Sequence, residues 1–347
     1  MKSGILPHFS PLTKRRISNF KSNRRAFVAL WALAIIFILS LCAELIANNK
    51  PLVVMHKGNL YFPVFASYPE TTFGGEFETE TDYRDPVVES LISDNGWAVW
   101  PLIHFSYNTI NTRISVPYPA PPSGENLLGT DDRGRDVLAQ IIYGIRTSLL
   151  FGMLLTLISP VLGIMIGAIM GYFGGFVDIF FQRILEIYES VPQLFLLIII
   201  TSMITPSFWL LFFIIAVFEW TMFVGLVRAE FLRARNFEYV KAARALGVGH
   251  ISTMFRHILP NALTSTLTFI PFILSGSILT LAILDLLGFG LPASEPSLGR
   301  ILSQGRTNLA APWLSLTGFF TIAILLALMI FIGEGIRDAF DTKKTFK

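Results

Sequence analysis

Charged residues and cysteine are both scarce in this sequence. Of its 347 residues, only 15% are Asp, Glu, Lys or Arg, whereas a soluble globular domain carries about 25%. The single cysteine excludes an intrachain disulfide framework, a cysteine-rich zinc site and an iron–sulfur cluster. The five histidines are scattered and include no pair with metal-ligand spacing. The sequence therefore predicts neither a soluble enzyme nor a metal site.

Motifs for nucleotide binding and for common hydrolytic chemistry are also absent. The chain contains no G-x-x-x-x-G-K-[ST] phosphate loop, no H-E-x-x-H and no G-x-S-x-G. Its net charge of +3 is too small to indicate nucleic acid as a partner. We therefore expect no catalytic activity and no cofactor in this chain, and no contact with nucleic acid.

Long apolar runs are what the sequence does contain. Apolar residues make up 53% of the chain, and the mean hydropathy is +0.60. A helix needs roughly 20 mostly apolar residues to span the hydrocarbon core of a membrane. The runs predict an all-α polytopic membrane protein with six transmembrane helices, at about residues 26–47, 148–171, 190–205, 208–227, 262–286 and 313–333. A cleaved signal peptide is the alternative for the first run, but its length favours a retained helix.

A polar segment, residues 49–128, follows the first span and is called the excursion below. It holds nine acidic and four basic residues, together with recurrent proline and aromatic residues. A disordered segment would contain fewer aromatics, so we expect a small ordered region outside the membrane. A simple linker remains the alternative.

The distribution of Lys and Arg predicts the orientation. Residues 1–25 contain seven basic and no acidic residues, and residues 228–261 contain six basic and two acidic residues. Both segments are expected on the cytoplasmic side. The predicted regions are a cytoplasmic segment (1–25), the first transmembrane helix (26–48), a periplasmic excursion with a helix before the second span (49–147), a transmembrane domain of five helices (148–338) and a cytoplasmic tail (339–347).

Three carboxylates fall within or beside the apolar runs. Glu219 lies near the middle of the fourth span, where an ionisable group is costly. A proton relay is one interpretation, and a hydrogen bond to a neighbouring helix is the other, which we favour. Glu44 and Asp285 lie near span ends and are expected to reach interfacial water.

The cytoplasmic segment between spans four and five, residues 228–261, is called the 228–261 loop. Asn236–Leu246 reads as a short helix capped by Asn236, and Gly247 follows where a positive φ is favoured. A second short helix, His250–Ile258, is expected to end at Leu259–Pro260. Two short helices that meet at a glycine predict a rigid, exposed projection on the cytoplasmic side. An ordinary connection lying on the membrane surface would show the same sequence pattern.

The spacing of Ala242–Ala243, Gly247 and Leu259–Pro260 resembles the "EAA" loop of ABC-importer permeases. Lys241 stands where that family usually has Glu, and His257 stands where Ile is usual. In the family, this loop forms coupling helices that dock into the separate ATPase subunits. The resemblance therefore implies an ATPase-coupling site formed by Lys241, Ala242, Ala243, Gly247, Leu259 and Pro260.

Further segments resemble the C-type permeases for oligopeptides, dipeptides and nickel. They are Leu128–Asp136, Tyr143–Gly144, Arg146–Leu149, Arg256–Asn261, Leu287–Pro292 and Pro296–Gly299. The resemblance covers about residues 129–338. The long excursion, with Glu44–Asn48 and Trp97, is similar to the YejE-type branch of this group, which serves peptide importers that also admit peptide–nucleotide antibiotics of the microcin C kind.

The resemblance implies a type I ABC-importer permease fold in the bacterial inner membrane, with both termini cytoplasmic. Implied partners are a homologous permease subunit, ATPase domains that bind ATP and Mg, a periplasmic peptide-binding protein, membrane lipid and an oligopeptide substrate. The substrate-binding residues remain unknown. A proton-coupled secondary transporter is the alternative function, and a membrane-anchored enzyme with an external domain is the third.

Overall fold

The computed structural model describes residues 11–340, which are mostly helical. The helices are, in chain order, α1 (Pro11–Ser22), α2 (Arg24–Leu41), α3 (Ala43–Ile46), α4 (Pro86–Asn95), α5 (Val137–Phe173), α6 (Gly175–Glu189), α7 (Gln193–Met203), α8 (Phe208–Ala234), α9 (Glu238–Ala245), α10 (His250–Ser252), α11 (Leu259–Leu267), α12 (Ile270–Leu287), α13 (Leu298–Thr307) and α14 (Pro312–Phe340). The described chain also contains a 3-10 turn, Glu70–Phe73, and a π-helical segment, Thr253–Ile258. The ends of the predicted cytoplasmic segment and tail lie outside the described residues.

Five helices of the described chain are long and apolar enough to cross a membrane, namely α2, α5, α8, α12 and α14. Helices α6 and α7 meet at a bend of 53° and add a sixth crossing if the pair is one broken span. This architecture confirms the polytopic helical fold class.

The third span differs from its prediction as a single helix over 190–205. The break falls at Ser190–Pro192, because proline lacks the amide hydrogen that a continuous helix requires and also restricts the residue before it. Helix α6 carries Asp178, Arg183 and Glu186 and therefore has too low a hydropathy to be recognised as part of a span.

The first span is shorter than predicted. Helix α2 ends at Leu41, and the short helix α3 follows after Cys42. Ala47 is extended and forms a parallel β-bridge with Ile103, and its carbonyl accepts a hydrogen bond from Tyr143 Oη at 2.9 Å. These contacts with the excursion and α5 end the helix before the apolar run ends. In the fifth span, the helical chain begins at Leu259 and is interrupted between α11 and α12.

The described chain divides into two compact units. One contains residues 150–280 with the segments up to Ala34 and from Ile324, and the other contains Ile35–Leu149 with Leu281–Ala323.

In the first unit, glycines spaced four residues apart bring α5 against α8. A Cβ placed at Gly163 would lie 2.4 Å from the carbonyl oxygen of Trp220, and one at Gly167 would lie 2.7 Å from that of Val224. Gly171 continues the stripe. Small residues at this spacing allow two membrane helices to pack backbone against backbone. The close approach therefore requires the absence of side chains at these positions.

In the second unit, the excursion has a hydrophobic core of its own. Strands β1 (Val53–His56), β2 (Asn59–Tyr61) and β3 (Gly96–Val99) form an antiparallel sheet in the order β2-β1-β3. Side chains of the sheet, the 3-10 turn and α4 form the core, which includes Val54, Phe73, Tyr83, Val88 and Ile92. The excursion is therefore a folded domain rather than a linker, and its sheet is a feature that the all-α expectation did not include.

A buried polar network in the same unit joins the segment before α5 to the region around α13. Arg135 donates from Nε to Asp131 Oδ2 at 2.7 Å and from Nη1 to the Ala293 carbonyl at 3.1 Å. Gln304 of α13 donates to Asp132 Oδ1 at 2.8 Å. Leu128–Asp136, one of the segments that resemble the C-type permeases, thus positions α13 through hydrogen bonds.

Glu44 and Asp285 both have partners within the protein, and the expectation that Asp285 reaches interfacial water is wrong because it is buried. Glu44 forms an ion pair with Arg146 at 2.7 Å. Asp285 is buried and accepts hydrogen bonds from the Ser297 hydroxyl and, at 2.7 Å, from the Leu291 amide. The sequence places both residues near span ends. The partner of Glu44 is 102 residues away, and those of Asp285 lie in the turn that follows its helix, so hydropathy alone indicates neither pairing.

Candidate functional site

The 228–261 loop begins with helix α9, which ends in a Schellman motif. Gly247 has φ +83°, which confirms the expected positive value. The Gly247 amide donates to the Arg244 carbonyl at 3.0 Å, and the Val248 amide donates to the Ala243 carbonyl at 3.1 Å. These two hydrogen bonds fix the direction in which the chain leaves the helix.

The N-terminus of α9 is not capped as predicted. The helix starts at Glu238, and the residue at the cap position is Phe237, which makes no side-chain cap. Asn236 instead donates from Nδ2 to the Leu232 carbonyl at 3.3 Å. Because α8 extends to Ala234, Asn236 belongs to its C-terminal turn rather than to the start of α9.

The second helix does not stop at Leu259–Pro260. Helix α10 passes into the π-helical segment Thr253–Ile258 and then directly into α11, which begins at Leu259. Pro260 therefore occupies the first turn of α11, where a missing amide hydrogen is tolerated. The second half of the loop thus continues without a break into α11, the first part of the fifth span.

The inward side of the loop packs into a core shared with α5 and α8. Val240 and Ile258 are fully buried, and Met254 is almost so. The same cluster contains Ala168 and Tyr172 of α5 and Val227, Phe231 and Ala234 of α8. The loop is therefore an integral part of the first unit and not a loose connection.

Of the two alanines expected to admit a partner surface, only Ala242 is exposed. Ala243 is only 8% exposed and is buried on the opposite side of α9. Its small side chain therefore allows α9 to approach the permease itself. Lys241 is exposed and forms an ion pair with Glu238 at 3.1 Å, so it does not reach across the loop.

The outward side of the loop presents large apolar side chains. Leu246 is 85% exposed and Ile251 is 74% exposed, and they flank Gly247 in sequence. Phe255 is also exposed. We call Leu246, Ile251 and Phe255 the apolar face. The predicted coupling site included none of these three residues, because the exposure of an apolar side chain depends on tertiary packing that the sequence does not report.

Two side-chain contacts hold the loop in place, one within the loop and one to α5. Tyr239 of α9 accepts a hydrogen bond from Asn261 of α11 at 3.2 Å between Nδ2 and Oη. The guanidinium of Arg244 lies over the ring of Tyr172 at 6.0 Å. The structure thus brings Lys241, Ala242 and Gly247 to one exposed segment, whereas Leu259 is half-buried beside the core and Pro260 is exposed on α11.

Glu219 does not make the expected hydrogen bond to a neighbouring helix. Its side chain is half-buried in α8, and no residue between 11 and 340 donates a hydrogen bond to it. Among the polar links that α8 does make is the ion pair between Arg228 and Asp178 of α6, with distances of 2.5 and 2.8 Å. Neither partner was predicted, since the sequence gives no indication that residues 50 positions apart would meet.

The long apolar helices, with the loop between α8 and α11 packed against them, define a polytopic membrane protein. Residues 163–345 match the family described as "Binding-protein-dependent transport system inner membrane component". The chain belongs to this family of ABC-transporter permeases.

Curated relatives extend the match to nearly the whole chain. The sequence is 52% identical to the peptidoglycan transport system permease protein YejE of Agrobacterium fabrum, with 98% of this chain and 96% of the relative covered. It is 51% identical to the inner membrane ABC transporter permease protein YejE of Escherichia coli, with 98% and 99% covered. Identity to the dipeptide transport system permease protein DppC of Haemophilus influenzae is 38%, with 67% of this chain and 80% of the relative covered. The resemblance to YejE-type permeases is confirmed.

Proposed function

We propose that this permease subunit imports oligopeptides across the bacterial inner membrane, driven by separate ATPase subunits that dock on the apolar face. The observation that carries the proposal is the exposure of Leu246 and Ile251 on a loop whose backbone is fixed by Gly247 and whose other side is packed into the core. Large exposed apolar patches on otherwise polar segments are typical of protein contacts. Tight packing would transmit closure of the ATPases to α5 and α8.

The proposed assembly contains a homologous permease, two ATPase domains that hold ATP and Mg, and a periplasmic binding protein that delivers substrate. Family membership and the names of the relatives support these partners. The docking of the ATPase is tested by exchanging Leu246 for Glu. We expect the variant to insert normally and to lose co-purification with the ATPase.

The matched control is Leu309→Glu, because Leu309 is equally exposed but lies between α13 and α14. This variant should retain the ATPase. Equal retention by both variants would contradict docking on the apolar face.

The proposed orientation has both termini and the 228–261 loop in the cytoplasm and residues 49–147 in the periplasm. The excess of Lys and Arg in residues 1–25 and in the loop supports it. After Cys42→Ser, an impermeant thiol reagent should label Glu80→Cys in intact spheroplasts and Glu238→Cys only after permeabilisation. The opposite labelling pattern would refute this orientation.

The substrate class follows from relatives named for dipeptide, oligopeptide and peptidoglycan transport. Proteoliposomes that contain the full complex should accumulate labelled peptides when ATP is supplied. Peptides of graded length, a peptide–nucleotide conjugate and a peptidoglycan stem peptide would define the range. The alternative, proton-coupled transport, predicts uptake that needs a proton gradient and no ATP.

A further inference from the structure

The excursion and the start of α5 together line a cavity of about 560 Å³ that the import mechanism does not use. Its lining comes from residues 83–89, 100–105, 113, 124–127 and 136–138, all within the second unit. Sites for small ligands enclose about 300–1,000 Å³ and combine apolar walls with a few placed polar groups. This cavity has the size and the mixed lining of such a site.

Three of the charged groups in the cavity already have partners. Arg113 pairs with Glu89 at 3.3 Å. Asp136 is buried and accepts hydrogen bonds from Asn126 Nδ2 at 2.8 Å and from the Ala139 amide at 2.7 Å. These groups shape the cavity, but their charges or hydrogen-bonding capacity are largely satisfied.

The guanidinium of Arg84 is different. It lies over the ring of Phe105 at 4.0 Å, is half-buried, and forms neither an ion pair nor a side-chain hydrogen bond with any residue that the structure describes. Burial lowers the pKa of Arg84, and Arg113 lowers it further. A guanidinium in this position retains its planar set of donors for a carboxylate, which it can bind through two parallel hydrogen bonds.

Glu125 is the negative group that remains available in the same cavity. Its Oε2 accepts a hydrogen bond from Asn111 Nδ2 at 3.0 Å, and Oε1 has no partner among residues 11–340. Glu125 favours the charged form of Arg84 and so opposes the lowering of its pKa, yet the two side chains form no ion pair. Opposite charges that share a cavity without contact leave room for a ligand between them.

His104 adds no further charge at neutral pH. Its ring stacks against Trp100 with 5.1 Å between centroids. Partial burial and the nearby Arg84 lower the pKa of His104. The available charges are therefore one guanidinium and one carboxylate, and the exposed side chains of Leu102 and Leu127 add apolar surface.

We propose that this cavity binds a short zwitterionic peptide, with the peptide carboxylate on the Arg84 guanidinium and the peptide ammonium directed to Glu125. Trp100, Leu102 and Leu127 would contact an apolar side chain of the ligand. The proposal rests on the proposed function only for the choice of peptides as ligand. It assigns a peptide site to the excursion and the first turn of α5.

The test measures binding alone and needs neither ATP nor transport, so that it stands if the import assay fails. The full-length chain is reconstituted with its partner permease in nanodiscs, without ATPase or binding protein. Calorimetry then compares three probes: the dipeptide Ala-Phe, its C-terminal amide, and N-acetyl-Ala-Phe. We expect each modification to weaken binding about ten-fold or more, because each removes one charge-assisted contact.

Variants assign the two contacts. Arg84→Gln should reduce the affinity for Ala-Phe to that for the amide and leave the affinity for the amide unchanged. Glu125→Gln should do the same with respect to the N-acetyl probe. Lys57→Gln is the matched control, since it removes a charge of the excursion outside the cavity, and it should bind like the wild type.

Three results would overturn the proposal. The first is equal affinity of the wild-type protein for the free acid and the amide. The second is no binding of Ala-Phe at millimolar concentration, and the third is an unchanged affinity of Arg84→Gln for Ala-Phe. If Arg84→Gln fails to fold, the three probes on the wild-type protein still decide the outcome.

Discussion

Tyr172 Oη lies 2.9 Å from Nδ1 of His250, which joins the last turn of α5 to the first residue of α10. The two rings also meet edge to face, with 5.7 Å between centroids. Through this contact and the buried Val240, the 228–261 loop is attached to both α5 and α8. A partner that moves the apolar face would therefore move the ends of two membrane helices with it.

The backbone at Gly247 should be essential, whereas the neighbouring Gly249 should not. A Cβ at either position would meet no other atom within 4 Å, but only Gly247 has a positive φ. Gly247→Ala should therefore strain the turn by about 1 kcal/mol and lower ATP-dependent peptide uptake at normal expression. Gly249→Ala is the matched control. Full uptake by both variants would show that the Schellman motif is not needed for coupling.

Charge at the two adjacent alanines should have separate effects. Ala242→Asp places a carboxylate on the exposed side of α9 and should impair ATPase association without affecting thermal stability. Ala243→Asp would bury an unpaired charge in the core, which typically costs about 3–5 kcal/mol and should lower the melting temperature of the purified permease. Fluorescence-detected thermal unfolding and co-purification measure the two effects. Loss of stability in Ala242→Asp alone would contradict this assignment of faces.

Packing of α5 on α8 should depend on the glycine stripe. In Gly167→Ala, the added Cβ would lie 2.7 Å from the Val224 carbonyl oxygen, so one helix must shift. We expect destabilisation of about 1–3 kcal/mol. Gly225→Ala on α8 is the matched control, since its Cβ would meet no atom within 4 Å and alanine favours helix. Unfolding midpoints in detergent should therefore fall for the first variant and stay or rise for the second.

Glu219→Gln should retain most ATP-dependent transport. The side chain is half-buried in α8 without a partner in the described chain, so its amide analogue preserves shape and loses no ion pair. Uptake by proteoliposomes at several external pH values provides the measurement. Near-complete loss of uptake in a correctly assembled variant would support ion coupling and the secondary-transporter alternative.

Protonation of His56 at acidic pH should lower the stability of the folded excursion. The ring is buried against Phe73, neither nitrogen has a partner in the described chain, and burial with nearby Lys57 lowers the pKa of His56 below 6.5. Because the unfolded chain titrates near pH 6.5, it binds more protons than the folded domain below that pH. The stability of the domain should therefore fall as pH decreases below about 6.5, by at most about 1.4 kcal/mol per pH unit.

Hydrogen exchange of peptides from β1, corrected for intrinsic rates, measures this effect in the full-length protein. His56→Leu serves as the comparison, because leucine has a similar size, suits the buried position and does not titrate. The wild-type strand should lose protection between pH 7 and pH 5 more than the variant does. An equal loss in both proteins would assign the effect to other groups.

The long apolar helices and Gly247 could be predicted from sequence because each depends on local properties, namely hydropathy over about 20 residues and the preference for glycine at positive φ. Features that depend on distant partners could not. The charged residues of α6 keep this helix out of the predicted third span, and Asp285 lies near a span end but is buried with its hydrogen-bond partner Ser297. Likewise, the opposite environments of Ala242 and Ala243 follow from the docking of α9 on α5 and α8, which no local pattern reports.

The glycine stripe of α5 also limits how this part of the molecule can deform. Its members are four residues apart, and one such step along a helix is about 6 Å. Any smaller slide of α5 along α8 would place a side chain where backbone now meets backbone. The packed pair of α5 and α8 therefore resists sliding of one helix along the other and moves as one rigid body. A force applied to the 228–261 loop would therefore rotate α5 and α8 together rather than slide one helix along the other.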